Sequence, residues 1–277
     1  LFGISTERID NRNMKILLVG ESCVDEYVYG TCERVCPEAA AMCFKSSGQF
    51  KQTGGMAANV LANLKFLKPS IDIEVVTNTS TITKRRFVDL RYNTIVFRED
   101  HSDACDRGNF KDLSFNEYDA IVFSDYCKGF ITEEDIKYIS SQARPEAPKF
   151  IDTKKRLGSF LDGIDFVKIN QDEFDRNCDN LENILSYCKN LVVTCGRNGA
   201  KHYKKEFNQK PPSVPYSIEI TEYSAEKVPV RDVCGAGDTF LASLVVQYLE
   251  TQNIGDSINY ANYKAAEVVK KFGVTVP

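Results

Sequence analysis

From residue 119 onward the chain repeats one unit, a short apolar run followed by a segment with helical spacing. The runs are Ala120–Phe123, Lys149–Ile151, Phe166–Ile169 and Leu191–Thr194, with helical segments at Glu133–Ala143, Gln171–Asn177 and Leu181–Cys188. Strands apolar on both faces that alternate with helices predict a parallel sheet covered by helices on each side. Lys15–Val19, ending at Gly20, and Ile73–Val76 add strands of the same kind, with a helix over Ala57–Leu67 between them. Two long helices, Asp238–Glu250 and Ser257–Phe272, close the chain. The segments around Glu26–Tyr29, Ala41–Lys45, Arg86–Leu90 and Thr94–Arg98 alternate apolar and polar residues instead. One face of each is wet, so they predict a small β-lid built from segments near 26–50 and 84–98. The Pro-rich run Lys210–Pro215 reads as a surface connection.

Composition narrows the partners. At 277 residues the length suits one large α/β domain or two small ones. A net charge of −4 carries no basic footprint, which argues against nucleic acid. There is neither an apolar run of membrane-spanning length nor a recognisable signal peptide. The ten cysteines form no C-x-x-C pair, and the two histidines, His101 and His202, lie away from paired cysteines. That argues against zinc and predicts reduced thiols in a cytoplasmic protein, with Cys23 and Cys195 as small core residues in apolar strands.

The densest chemistry is Val230-Arg231-Asp232-Val233-Cys234-Gly235-Ala236-Gly237-Asp238-Thr239-Phe240. A glycine turn delivers Asp238 into the first turn of a helix, where unpaired backbone N–H groups attract phosphate. Gly235 and Gly237 let the backbone approach a ligand, and Asp238 can take a proton from an attacking hydroxyl. A glycine-rich helix cap would use the same residue types. Asp25 follows the first strand, and Gly54-Gly55 opens a helix carrying Asn59; each could cap a turn or hold a ligand's hydroxyls. Asn170 and Glu173 follow the strand FVKI, as either a capping box or the support of a hydrated magnesium ion. Thr194, Gly196 and Gly199 form a glycine turn, and Lys154 stands just past a strand where it could reach a phosphate or face solvent.

The string D-x-x-G-A-G-D-T-F at 232–240 resembles the signature of the ribokinase-like carbohydrate kinases. Asp25, Gly54, Gly55 and Asn59 match that family's amino-terminal signatures, Asn170 and Glu173 its N-x-x-E, and Thr194, Gly196 and Gly199 its T-x-G-x-x-G. Three further strings are similar to the heptose-7-phosphate kinase domain of bifunctional ADP-heptose synthesis proteins. They are Tyr27–Gly30 with Arg34 and Pro37–Ala39, Thr81–Phe87, and Ser124-Asp125-Tyr126-Cys127-Lys128-Gly129. The resemblance runs in order over nearly all of residues 15–277.

It implies a ribokinase-like three-layer sandwich over residues 14–277, with a mostly parallel central sheet and a β-lid. It implies ATP, Mg²⁺ held through water by Glu173, and a monovalent cation as a further cofactor to consider. Asp238 would be the base, the N–H groups of Gly235, Ala236 and Gly237 would neutralise the transferred group, and Asn170, Glu173, Thr194, Gly196, Gly199 and Lys154 would serve the nucleotide. Asp25, Gly54, Gly55, Asn59 and Asp125 would hold the sugar, with Lys84, Arg86 and Lys128 as donors to its phosphate, although Lys84 and Arg86 could equally be solvated lid charges. The substrate implied is a heptose 7-phosphate, phosphorylated at its anomeric hydroxyl. A fructose-type sugar or a non-catalytic sugar- or nucleotide-binding relative are the alternatives, and the lid implies a homodimer.

The chain departs from that pattern in three places. Glu21 replaces the usual aspartate, Ala40 stands where a second proline is usual, and the stretch from Thr77 to Thr81 is too short for the helix and strand other members carry. Residues 1–13 form a tail, in which Phe2–Ile9 is similar to the motif closing cytidylyltransferase-like domains. That implies an upstream, fused or partner nucleotidyltransferase.

Overall fold

The computed structural model describes residues 14–207 and 216–277. The expectations for the 1–13 tail and for the Pro-rich run Lys210–Pro215 therefore lie outside the described residues. In chain order the elements are β1 (Lys15–Gly20), β2 (Ser22–Val35), β3 (Met42–Met56), α1 (Ala57–Leu67), β4 (Asp72–Val76), β5 (Thr83–Asp89) and β6 (Thr94–His101). There follow β7 (Ala120–Asp125), α2 (Glu133–Gln142), β8 (Lys149–Thr153), β9 (Ile164–Asn170), α3 (Gln171–Asp175), α4 (Leu181–Tyr187) and β10 (Cys188–Thr194). The remainder are β11 (Ala200–Phe207), β12 (Tyr216–Tyr223), α5 (Ala236–Thr251) and α6 (Ile254–Val268).

The central sheet has eight strands in the order β12-β11-β10-β9-β8-β7-β1-β4. Every pairing from β10 to β4 is parallel, and β11 and β12 extend one edge as an antiparallel hairpin. Successive residues of each parallel strand point to opposite faces, so one run of sequence feeds two cores. Leu17, Val19, Ile121, Phe123, Ile151 and Val167 pack on one side, beneath residues of α2 and α4. Ile16, Leu18, Val122, Phe150 and Phe166 pack on the other, against α1, α5 and α6. This is why the parallel strands read as continuous apolar runs rather than alternating ones. No helix among the described residues is long and apolar enough to cross a membrane.

The second sheet is the lid, in the order β3-β2-β5-β6. Its strands are longer than their alternation suggested, because β2 leaves β1 after a single residue and β3 runs directly into α1. Outward-facing Phe50, Val96 and Phe97 remain exposed. The short stretch after Thr77 links β4 straight to β5. Asn78 stitches it to the start of β2, its Oδ1 accepting from the Ser22 N–H at 2.7 Å and its Nδ2 donating to the Ser22 carbonyl at 3.1 Å. Cys23 is buried as expected, whereas Cys195 lies half-buried just past the end of β10.

β1 sits between β7 and β4, and the chain leaves it in one direction for the lid and β4 while β7 leads the other way. The crevice at the C-terminal ends of β1 and β7 is where open α/β sheets accept ligands. Gly20 lets the two strands close there, since a Cβ on it would lie 2.1 Å from the Ser124 carbonyl oxygen. Gly20→Ala must push β1 from β7, and we expect a loss of about 1–3 kcal/mol in stability, the usual range for overpacking. Urea unfolding measures it, and an unchanged midpoint would contradict the close approach.

Candidate active site

The site is built around the start of α5. The turn before it is braced by Asp232, whose Oδ1 accepts from the Cys234 N–H at 2.9 Å and whose Oδ2 accepts from the Gly273 N–H at 3.0 Å. Gly235 then takes a left-handed conformation (φ 79°) at the N-cap, with no side chain capping the helix. The first-turn N–H groups are therefore left for another partner. One differs from expectation. The Ala236 N–H donates to the Val233 carbonyl at 3.2 Å, because the turn closes on itself, and is not presented to a ligand.

Asp238 is 4% exposed. Its Oδ2 accepts from Asn59 Nδ2 at 2.9 Å and its Oδ1 from Tyr126 Oη at 2.7 Å. Burial pushes this carboxyl up to about 6, against the two hydrogen bonds that favour its charged form. The orientation of Asn59 is fixed by a relay. Thr239 Oγ1 donates to Asn63 Oδ1 at 2.9 Å, and Asn63 Nδ2 donates to Asn59 Oδ1 at 3.0 Å, which turns the Asn59 amide nitrogen toward Asp238. Asn59 is thus spent on the carboxylate, which differs from its expected role of holding a sugar directly.

Lys168 on β9 approaches the same helix start. Its ammonium lies 3.0 Å from where a Cβ on Gly237 would stand. It donates to Asp152 Oδ2 at 2.5 Å. Burial works against the charge, but Asp152 holds the ammonium above the ordinary lysine value. Ala236 and Gly237 at this end of α5 line a cavity of ≈ 770 Å³ together with Thr194, Gly196, Gly199 and Asn262. An elongated anionic ligand in this cavity would bring its charged end to a helix start, a lysine and a carboxylate.

On the lid side, Asp25 is buried and forms an ion pair with Arg86, whose guanidinium also lies 5.4 Å from the Tyr27 ring centroid. Gly55 makes room for that carboxylate, since a Cβ there would meet Asp25 Oδ2 at 2.0 Å, while Gly54 packs on Ala58. Arg86 was expected to offer a free guanidinium to a phosphate. It is buried against Asp25 instead, because an arginine at 6% exposure must be paired. Asp125 was expected at the ligand. It is 1% exposed and accepts from Thr153 Oγ1 at 2.6 Å, Lys155 Nζ at 2.7 Å and the Cys127 N–H at 3.0 Å, so it anchors the loop after β7. Lys128 pairs with Asp103 at 2.5 Å. Lys84, half-buried on β5, stands 5.5 Å from the Tyr126 ring centroid.

At the end of β9, Asn170 and Glu173 form a capping box for α3. Asn170 Oδ1 accepts from the Glu173 N–H and Glu173 Oε2 from the Asn170 N–H, both at 2.8 Å. Lys154 Nζ is 3.3 Å from Glu173 Oε1 and 4.6 Å from the Tyr126 ring centroid. Among the described residues no group of three or more His, Cys, Asp and Glu side chains could hold a metal ion. One carboxylate and one amide suit an ion held through its waters, not one ligated directly by protein.

Three residues that organise this site carry no role in the sequence pattern alone. Tyr126 lay inside a quoted string without a role. Lys168 and Glu21 were each a charged residue within or beside a strand apolar on both faces. A charge in that setting is a usable signal, because such side chains are buried only when paired.

The profile of the pfkB family carbohydrate kinases matches residues 65–277. The chain is 27% identical over 302 residues to the bifunctional protein HldE of Hydrogenovibrio crunogenus, covering 96% of this chain and 61% of that protein. It is 28% identical over 306 residues to the HldE protein of Campylobacter jejuni, covering 96% and 63%. The chain thus spans about three-fifths of those relatives. In structure it is similar to ribokinase from Thermotoga maritima, with a TM-score of 0.68 at 15% identity over 95% of this chain and 96% of that one. Arabidopsis thaliana ribokinase, solved with ribose and ATP, gives 0.64 at 14% identity over 95% of each chain. The fold is ribokinase-like, and the chain belongs to the pfkB family of carbohydrate kinases.

Proposed function

We propose that this kinase transfers the γ-phosphoryl group of ATP to a hydroxyl of a phosphorylated sugar, a heptose 7-phosphate at its anomeric hydroxyl. The observation that carries the reading is the meeting of three features at one end of the large cavity. They are the uncapped start of α5, the Lys168 ammonium and the buried Asp238 carboxylate. Asp238 takes the proton as the sugar oxygen bonds to the γ-phosphorus. The bond from that phosphorus to the β,γ-bridging oxygen breaks, and ADP leaves. The N–H groups of Gly235 and Gly237, with Lys168, meet the charge on the transferred group in a site that admits little water. The lid closes over the sugar and limits transfer to water.

ATP lies in the cavity bounded by Thr194, Gly196 and Gly199, its phosphates toward Gly237 and Lys154. Glu173 and Asn170 would hold a magnesium ion through its waters, and the ion would supply neutralisation of the phosphate charge. The heptose assignment draws on the strings at 27–39, 81–87 and 124–129 and on the HldE relatives. Of the three cations expected at the sugar's own phosphate, Lys84 on β5 is the one left to receive it, since Arg86 is bound to Asp25 and Lys128 to Asp103.

Asp238→Asn should lower kcat by about 10³-fold or more with the melting temperature and ATP affinity nearly unchanged; retained turnover would remove the base assignment. The carboxylate is the active form, so wild-type activity should fall as pH drops through about 6, where Asp238 takes up a proton. A pH-independent kcat between 5 and 7 (about the range a group titrating near 6 must affect) would contradict this.

A coupled ADP assay over a panel of sugars tests the substrate. Heptose 7-phosphate should be preferred over unphosphorylated heptose and over fructose phosphates, and Lys84→Met should raise the KM for the phosphorylated sugar by about tenfold, the worth of one charge-assisted contact. A preference for an unphosphorylated sugar would overturn the heptose 7-phosphate reading and leave the kinase chemistry standing.

A further inference from the structure

The loop between β7 and α2 is held from inside by Glu21, a residue with no exposure. Its Oε2 accepts from the Tyr126 N–H at 2.8 Å, and its Oε1 from the N–H groups of Lys128 at 3.0 Å and Phe130 at 3.2 Å. Three backbone bonds to one buried carboxylate leave the loop a single path. That path carries the Tyr126 hydroxyl to 2.7 Å from Asp238 Oδ1. The ring is steadied by two ammoniums, Lys84 from the lid at 5.5 Å and Lys154 from the sheet at 4.6 Å. Asn59 on α1 holds the other carboxylate oxygen. With both oxygens engaged, the Asp238 side chain has one orientation, and the lone pairs not used by Asn59 and Tyr126 are left for the substrate.

We propose that Tyr126 is a positioning residue for phosphoryl transfer, presented by the Glu21-anchored loop to fix the orientation and basicity of Asp238. The inference rests on Asp238 being the base. Tyr126 does not itself accept the substrate proton. Burial holds its phenol well above the ordinary tyrosine value, so it stays a donor.

The groups facing Asp238 come from five elements. Asn59 faces it from α1, Cys23 from β2, Tyr126 from the loop, Asp152 from β8 and Lys168 from β9. Cys23 stays neutral, its thiol pushed up to about 12 by burial. Asp152 raises the carboxyl and Lys168 lowers it, while the hydroxyl of Tyr126 is a further stabiliser of the charged form. Removing it must move the acid limb of activity toward higher pH.

Tyr126→Phe keeps the ring and deletes only the donor. We expect kcat near neutral pH to fall about tenfold and the acid limb to rise by about one pH unit, the worth of one hydrogen bond to a charged acceptor, with the KM for ATP unchanged. Difluorotyrosine incorporated at position 126 keeps the hydroxyl and makes it a stronger donor. The limb should then move to lower pH, a reversal that a merely packing tyrosine cannot produce. The second variant also answers if Tyr126→Phe fails to fold. Acid limbs at the wild-type pH in the folded variants would overturn the proposal. Asp238→Asn run alongside separates the two claims, because its retained turnover removes the base itself, whereas an inactive Asp238→Asn with an unshifted Tyr126→Phe removes only the role of Tyr126.

Discussion

A carboxylate buried at the first turn of a helix is the constraint from which the rest of this site follows. Taking such a charge from water without partners costs several kcal/mol, and the usual result is a neutral acid. Here Asn59, Tyr126, the start of α5 and the Lys168 ammonium each favour the charged form, and burial opposes them. The outcome is a group titrating near 6. It is charged at neutral pH yet more basic than an ordinary aspartate, the combination a general base requires.

The partners of that carboxylate are drawn from a covering helix, from a loop at the sheet's edge and from the sheet itself. Asn59 comes from α1, Tyr126 from the loop after β7, and Lys168 from β9. The lid is tied to the same assembly. The Tyr27 hydroxyl on β2 accepts from the Val274 N–H at 3.1 Å, next to the Gly273 that Asp232 clamps to the α5 turn. The lid is therefore joined by short contacts to the turn that presents the anion site, the relation expected where closure of a lid completes a catalytic arrangement.

The parallel strands and long helices were legible because burial on two faces leaves an unmistakable apolar run. Helix α1 fell where the sequence placed it at both ends and β10 at its C-terminal end, although β10 begins three residues earlier, at Cys188. The G-A-G-D turn was legible because its glycines have few other uses. The hairpin β11–β12 was not, since its alternating charged residues, such as Lys204 and Glu219, resemble any exposed segment. The site's pairings were hidden for another reason. Tyr126 and Asp238 are 112 positions apart, and Arg86 and Asp25 are 61 apart. Local pattern carries no information about which buried charge will meet which donor. Hence Arg86 and Asp125 read as ligand contacts and are found holding the protein's own groups, while Glu173 proves to cap a helix whatever else it does.

Phosphoryl transfer at this site requires convergence: the base, the helix start and Lys168 must address a single phosphorus. A crystal structure with ADP, aluminium fluoride and the sugar phosphate tests this most directly. The fluoride plane should lie within hydrogen-bond distance of the Gly237 N–H and Lys168 Nζ, with the sugar hydroxyl in line and against Asp238. A fluoride bound elsewhere, or an acceptor hydroxyl turned from that carboxylate, would contradict it.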